Sequence, residues 1–136
     1  MSLKDLLQYS KNINILYAED DEVTQELYYA IFQDLFLSVD VASDGVEALE
    51  KYSAKKYEIV ISDVSMPNMN GIELCQKIIE KNMHQSIIVV TAHTESEYID
   101  EFTKLGIDTF LPKPIHHAEL INILFNVSKH VADLKE

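Results

Sequence analysis

The feature that most constrains the fold is a regular alternation of short apolar runs with longer amphipathic stretches. Runs of strand length cover residues 13–18, 37–41, 59–63, 87–90 and 109–111. Between them, apolar residues recur every three or four positions, the spacing of a helix that buries one face. Strict alternation with nearly continuous apolar strands is typical of a parallel sheet covered by helices on both faces. The sequence therefore predicts one α/β domain with a doubly wound, five-stranded parallel sheet.

Local signals mark the ends of some of the predicted helices. Asp44 precedes Glu47 by three residues, and Thr94 precedes Glu97 by the same interval, the spacing of a capping box. Gly106 follows the helix that Thr94 begins, and we expect it to be the C′ residue of that helix.

The two ends of the chain carry weaker patterns. Residues 1–12 form a leader in which Ser2 and Asp5 can make a capping box, so this segment is either a short helix or a partly ordered start. The domain proper spans 13–136 and ends in an extended helix from about His116. A heptad-like apolar seam lies along that helix, at Leu120, Leu124, Val127, Val131 and Leu134. Packing on the sheet accounts for the seam through Val127, and its last two residues can pair with a partner or lead into a linker.

Composition limits the classes of function. Lys and Arg together number 11 against 23 Asp and Glu, a formal net charge of −12 in 136 residues. Such a surface repels phosphate backbones and anionic lipid, so we expect no direct nucleic-acid binding and no membrane binding. Cys75 is the only cysteine, which excludes an intrachain disulfide and a cysteine-rich zinc site. The sequence has no signal-peptide core and no apolar run of about 18 residues, so we expect a cytoplasmic protein.

Asp63 stands at the carboxyl end of a predicted buried strand that contains the β-branched run Ile59-Val60-Ile61. A carboxylate in that place is a metal ligand, a nucleophile or a helix cap. The next helix signals, Pro67 and the pair Asn70-Gly71, lie too far along the chain for a cap. Since the carboxyl ends of parallel strands meet at one edge, we expect Asp63 to lie near the polar residues that follow the other strands. These are Glu19, Asp20, Asp21, Thr91 and Lys113.

This set of side chains indicates phosphoryl chemistry with a divalent cation. Clustered carboxylates repel one another unless a cation is bound, and Mg²⁺ prefers oxygen ligands and pairs with phosphate. Lys113 and Thr91 suit the remaining oxygens of a phosphoryl group. Asp63 as the covalent acceptor of that group gives every member of the set a role.

Four motifs carry a resemblance to a known family. They are Ile15-Leu16-Tyr17-Ala18-Glu19-Asp20-Asp21, Ile61-Ser62-Asp63-Val64-Ser65-Met66-Pro67-Asn68-Met69-Asn70-Gly71, Val89-Val90-Thr91-Ala92 and Phe110-Leu111-Pro112-Lys113-Pro114. Over about residues 13–130, the chain resembles the receiver domain of two-component response regulators. The resemblance implies a flavodoxin-like fold with strand order 2-1-3-4-5.

The resemblance also implies a role for each matching residue on the metal side of the site. Asp63 is implied to be the phosphoacceptor and a metal ligand. Asp20 is implied to bind Mg²⁺ directly, and Glu19 through a water, while the backbone carbonyl of Ser65 completes the protein ligands. Asp21 is interpreted as a helix-start residue.

On the phosphoryl side, the resemblance makes Thr91 the switch hydroxyl and Lys113 the family lysine, joined to Pro114 by a cis bond. Phe110 occupies the aromatic switch position. Ser65 and His93 occupy the variable positions that tune the dephosphorylation rate in this family.

The function implied is a phosphorylation-controlled switch in signal transduction. A sensor histidine kinase or a histidine phosphotransfer protein would donate the phosphoryl group. The surface around the fourth helix, fifth strand and fifth helix of the alternation would then change, so as to regulate an effector protein or an attached output domain, with dimerisation as an option. Such a domain catalyses only its own phosphorylation and dephosphorylation.

Two other classes remain as alternatives. A phosphohydrolase of the haloacid dehalogenase type also uses an aspartate nucleophile, but it needs a second acid where this chain has Ser65, and a cap domain that 136 residues cannot supply. A flavodoxin-like cofactor binder needs a phosphate-cradling loop after the first strand, where Glu19, Asp20 and Asp21 would repel a phosphate.

Overall fold

Parallel strands and helices alternate along the chain. The computed structural model describes residues 2–135, apart from the side chains of His93 and Thr94. The strands are β1 (Asn14–Ala18), β2 (Ser38–Ala42), β3 (Ile59–Asp63), β4 (Ser86–Thr91) and β5 (Phe110–Pro112). The helices are α1 (Leu3–Ser10), α2 (Glu22–Gln33), α3 (Gly45–Ala54), α4 (Gly71–Lys81), α5 (Ile99–Lys104) and α6 (His117–Leu134), and a 3₁₀ segment at His93–Tyr98 leads into α5.

The strands form one parallel sheet in the order β2–β1–β3–β4–β5. The predicted fold class and the strand order implied by the resemblance are both confirmed. Side chains alternate across the sheet: Ile15 and Tyr17 of β1 join one apolar cluster, and Leu16 and Ala18 join the other. Because helices cover both faces, strands β1, β3 and β4 are buried on both sides, which explains their nearly continuous apolar sequences, whereas the edge strand β2 is only partly buried. Among the described residues, no helix is long and apolar enough to cross a membrane.

Element boundaries differ from prediction by one or two residues. Strand β1 begins at Asn14 instead of Ile13, because the Ile13 N–H donates to Ser10 O at 3.0 Å, in the turn that follows α1. The helical segment before β5 begins at His93, ahead of the predicted cap at Thr94, whose side chain lies outside the described atoms. Gly106 has φ +88° just after α5, as expected for a C′ residue.

The leader forms a helix, one of the two outcomes that its sequence left open. The Asp5 N–H donates to Ser2 Oγ at 3.2 Å, and the Ser2 N–H donates to Asp5 Oδ2 at 3.1 Å, which completes a capping box. Leu6 is buried in the core, and the Ser10 hydroxyl donates to Leu35 O at 2.6 Å. These contacts attach α1 to the rest of the fold.

Helix α1 also explains why the apolar seam of α6 extends beyond the sheet. The two helices pack together, with the rings of Tyr9 and Phe125 edge to face at 5.7 Å between centroids. Val131 is buried in the same cluster as Leu6, whereas Leu134 is 63% exposed. The core that includes α1 therefore covers Val131, whereas Leu134, the last residue of the seam, stays exposed.

Two glycines close the loop that follows β3. A Cβ on Gly71 would lie 2.2 Å from the backbone oxygen of Asp63, and one on Gly45 would lie 2.2 Å from Met69 O. The backbone N–H groups of the same glycines donate to Val64 O at 2.7 Å and to Met69 O at 3.1 Å. The first turns of α3 and α4 thus fix the loop on both sides of Ser65, and only glycine permits the approach.

We expect Gly71→Ala to lower the free energy of unfolding by about 1–3 kcal/mol, the usual cost of overpacking, and to displace the backbone of Asp63. Urea denaturation would measure the stability, and amide chemical shifts would report the displacement. Gly106→Ala is the matched control: a Cβ there meets open space, so its cost comes from the positive φ alone. Unchanged amide shifts around Asp63 in Gly71→Ala would contradict the close approach of Gly71 to the Asp63 backbone.

Candidate functional site

The predicted site residues meet at the carboxyl edge of the sheet because their strands are neighbours there. Ala18 of β1 pairs in register with Ser62 of β3, so the residues that follow them, Glu19 and Asp63, lie side by side. In the same way Asp63 is in register with Val90 of β4, and Thr91 with Pro112 of β5. The sheet order therefore brings the predicted residues of four strands to one place.

Three carboxylates converge at this edge. Glu19, Asp20 and Asp63 each offer an oxygen within 4.8 Å of the oxygens of the other two. Glu19 is 1% exposed and Asp63 5%, whereas Asp20 faces solvent. The cluster is thus buried at its base and open at Asp20.

The backbone around Glu19 is fixed by hydrogen bonds on every side. Its N–H donates to Ala42 O at 3.0 Å, and its carbonyl accepts from Gln25 Nε2 at 2.8 Å. Its Oε2 accepts from the Asp21 N–H at 3.0 Å. Asp21 is the N-cap of α2 and accepts from the Thr24 N–H at 3.0 Å, which confirms its interpretation as a helix-start residue.

Lys113 supplies the positively charged side chain of the site. Its Nζ lies 3.1 Å from Asp63 Oδ1 and 3.7 Å from Glu19 Oε1. Burial opposes its charge, but Asp63, Glu19 and Glu95 outweigh burial and raise the pKa of Lys113. The bond from Lys113 to Pro114 is cis, as the resemblance implied, and the Lys113 N–H donates to Thr91 O at 2.7 Å. The ammonium therefore stays charged among the carboxylates.

The carboxylates still carry more negative charge than Lys113 balances. Burial raises the pKa of Asp63 to about 8, the Glu19 carboxylate adds to the rise, and Lys113 only partly offsets it. Burial also raises the pKa of Asp20. An all-oxygen donor set with excess negative charge fits a hard divalent cation such as Mg²⁺. Glu19, Asp20 and Asp63 could hold such an ion.

Thr91 is the last residue of β4, and Phe110 is the first residue of β5. Thr91 is 6% exposed at the end of β4. Phe110 is half-buried at the start of β5, with its ring edge to face on that of Phe102, 6.2 Å between centroids. Their switch roles stay predictions, as does the rate-tuning role of His93, whose side chain lies outside the described atoms.

Glu95 is a site residue that the sequence did not reveal. The exposed Ser65 hydroxyl donates to Glu95 Oε2, and the Ala92 N–H donates to Glu95 Oε1 at 2.7 Å. Glu95 stands in a polar stretch that looks like an ordinary solvent-facing helix start. Only the fold brings it opposite Ser65, thirty positions earlier in the chain.

Comparison with known proteins places these features in a family. The family model described as the response regulator receiver domain matches residues 15–125. The transcriptional regulatory protein CutR of Streptomyces coelicolor is 30% identical over 109 residues, covering 80% of this chain and 50% of CutR. The sensor protein EvgS of Escherichia coli is 35% identical over 105 residues, 77% of this chain and 9% of EvgS. The chain therefore spans half or less of these two relatives.

A solved structure extends the likeness to three dimensions. The receiver domain of a sensor histidine kinase from Pseudomonas aeruginosa superposes with a TM-score of 0.77 at 25% identity, covering 87% of this chain and 98% of that one. In that protein, a magnesium ion is coordinated in the active-site cleft.

We expect Asp20→Asn to weaken Mg²⁺ binding at least about tenfold, because the variant loses a charged oxygen from the open side of the cluster. Isothermal titration calorimetry would measure the affinity. Asp21→Asn is the matched control: it changes the next residue in the same way, and asparagine caps a helix as well as aspartate does. Equal affinities for the two variants would contradict a ligand role for Asp20.

Proposed function

Because this chain belongs to the response regulator receiver domain family of two-component systems, we propose that it is a phosphorylation-controlled switch with Asp63 as its phosphoacceptor. The observation that carries the proposal is the 3.1 Å contact between Asp63 and Lys113 beside two further carboxylates. A phosphohydrolase of similar chemistry gains no support, because Ser65 stands where its second acid would be.

The covalent step transfers a phosphoryl group to an oxygen of Asp63. The carboxylate oxygen attacks phosphorus, the bond from phosphorus to the donor imidazole nitrogen breaks, and that nitrogen keeps the electron pair. Lys113 and Thr91 bind the phosphoryl oxygens, by charge and by hydrogen bond. In dephosphorylation, water attacks phosphorus, inorganic phosphate leaves, and Asp63 regains its carboxylate. The chain turns over no separate substrate.

Glu19, Asp20, Asp63 and the Ser65 carbonyl are the proposed ligands of Mg²⁺. When bound, the ion neutralises charge on the phosphoryl oxygens and on the carboxylates. Glu19 is suited to an outer position because its Oε2 already accepts a backbone N–H. Asp20, the exposed member, is suited to direct contact with the ion.

The output side of the proposal involves Phe110 and the surface formed by α5, β5 and α6. A shift of Thr91 toward the phosphoryl group would free space for the half-buried Phe110 ring to turn inward.

The proposed partners are a sensor histidine kinase or histidine phosphotransfer protein as donor, and an effector protein, an output domain or a second copy as target. We also propose the cytoplasm as its location. EvgS, a sensor protein, and CutR, a transcriptional regulator, represent both ends of such a pathway.

Acetyl phosphate with Mg²⁺ should add one base-labile phosphoryl group, and Asp63→Asn should abolish the addition because an amide oxygen is a poor nucleophile. Intact-mass spectrometry would count the groups. Asp100→Asn, a change of an exposed acid on α5, should label like the wild type. Full labelling of Asp63→Asn would refute the acceptor assignment.

Lys113→Ala should keep the fold but lose the response to beryllofluoride, because no ammonium remains to bind the phosphoryl mimic. Amide spectra of the Mg²⁺-loaded protein, recorded with and without beryllofluoride, would show the loss. Lys129→Ala removes a lysine from the surface of α6, where its only ion pair among the described residues is with Asp133, and it should respond normally. A wild-type response in Lys113→Ala would exclude this role.

A further inference from the structure

Glu95 joins two loops that border the phosphoacceptor. One carboxylate oxygen accepts from the Ser65 hydroxyl and the other from the Ala92 N–H. Ser65 is two residues after Asp63, and Ala92 directly follows Thr91. A single side chain therefore bridges the metal side of the site and the switch side.

We propose that Glu95 is a positioning residue that tethers the loop after Thr91 in its resting place and so slows phosphorylation of Asp63. The inference rests on the proposed function and adds to it a residue that controls the rate of phosphorylation of Asp63.

The geometry makes the tether an obstacle to switching. Thr91 and Lys113 are coupled by the hydrogen bond from the Lys113 N–H to Thr91 O, so strand β5 limits how Thr91 can move. The loop beyond Thr91 is held by Glu95 through the Ala92 N–H. If Thr91 moves toward a phosphoryl group, Ala92 moves with it, and at least one of the two Glu95 hydrogen bonds has to break. Both bonds have a carboxylate acceptor, the stronger class of hydrogen bond.

The other end of the tether is firmly anchored. Ser65 lies in the loop whose ends are held against Gly45 and Gly71, so this loop cannot easily follow a moving Ala92. A tether fixed at one end resists displacement at the other. The resting state is therefore favoured by contacts that the phosphorylated state would lose.

The charge of Glu95 acts in the same direction. Its carboxylate lies near enough to Lys113 to contribute to the raised pKa of that lysine, beside Asp63 and Glu19. A phosphoryl group brings further negative charge to the same ammonium. The negative charge of Glu95 therefore opposes an incoming phosphoryl group in addition to holding the loop, and the two effects call for separate variants.

Labelling rates with acetyl phosphate at saturating Mg²⁺ test the tether. Glu95→Ala should be labelled roughly tenfold faster than wild type, the size of effect that losing a hydrogen bond to a charged group has on an equilibrium. Glu95→Gln keeps an acceptor for the Ala92 N–H and a partner for Ser65 but carries no charge, so it should show only the part of the increase that comes from charge and stay clearly slower than Glu95→Ala. If Glu95→Gln is as fast as Glu95→Ala, charge is the cause and the tether is refuted.

A double-mutant cycle tests the Ser65 end of the bridge. Ser65→Ala keeps the backbone carbonyl and removes only the hydroxyl, so it should also accelerate labelling. In the Glu95→Ala background the same change should have no further effect, because the bond is already absent. Additive effects of the two changes would refute the bridge.

Two controls separate this inference from the proposed function. Glu97→Ala removes an exposed acid from the same 3₁₀ segment and should label at the wild-type rate. Asp63→Asn, run alongside, tests the acceptor itself: labelling that survives in it defeats the proposed function. If the wild-type protein is labelled at Asp63 but Glu95→Ala is labelled at the wild-type rate, the tether is refuted and the proposed function stands.

Discussion

The structure depends on burying two carboxylates beside one ammonium at the edge of a parallel sheet. Glu19 and Asp63 are almost inaccessible to water, and Lys113 lies within 4 Å of both. Burial of like charges is costly, and one lysine does not offset it, as the raised pKa of Asp63 records. An all-oxygen donor set with this charge imbalance fits a hard divalent cation such as Mg²⁺.

The rest of the fold keeps that edge rigid. Two apolar clusters, one on each face of the sheet, hold the strands in register, so residues that follow different strands stay close together. Gly71 and Gly45 close the loop that carries Ser65, and α1 adds a layer over α6. Glu95 links this loop to the one after Thr91 through its hydrogen bonds with Ser65 and Ala92.

Much of the site could be predicted from the sequence because each of its strands ends in polar residues. Asp63, Glu19, Asp20, Thr91 and Lys113 were found by that rule alone, and the structure brings Glu19, Asp20, Asp63 and Lys113 into direct proximity. For the last two residues of the α6 seam, Val131 and Leu134, the sequence allows pairing with a partner or continuation into a linker. No local pattern indicates that residues 3–10 pack on α6, so only the tertiary structure shows that Val131 is buried in the same cluster as Leu6 while Leu134 stays exposed.

By itself, the sequence determined the alternation of strands and helices, the helix starts at Asp21 and Asp44, and the family resemblance, since all of these depend on short-range patterns. Tertiary structure alone decided the bridge from Ser65 through Glu95 to Ala92 and the burial that raises the pKa of Asp63. The bridge and the burial escape sequence-based prediction for the same physical reason. Hydrogen bonds across loops and the desolvation of a carboxylate depend on distances between residues far apart in the chain, and sequence spacing does not encode those distances.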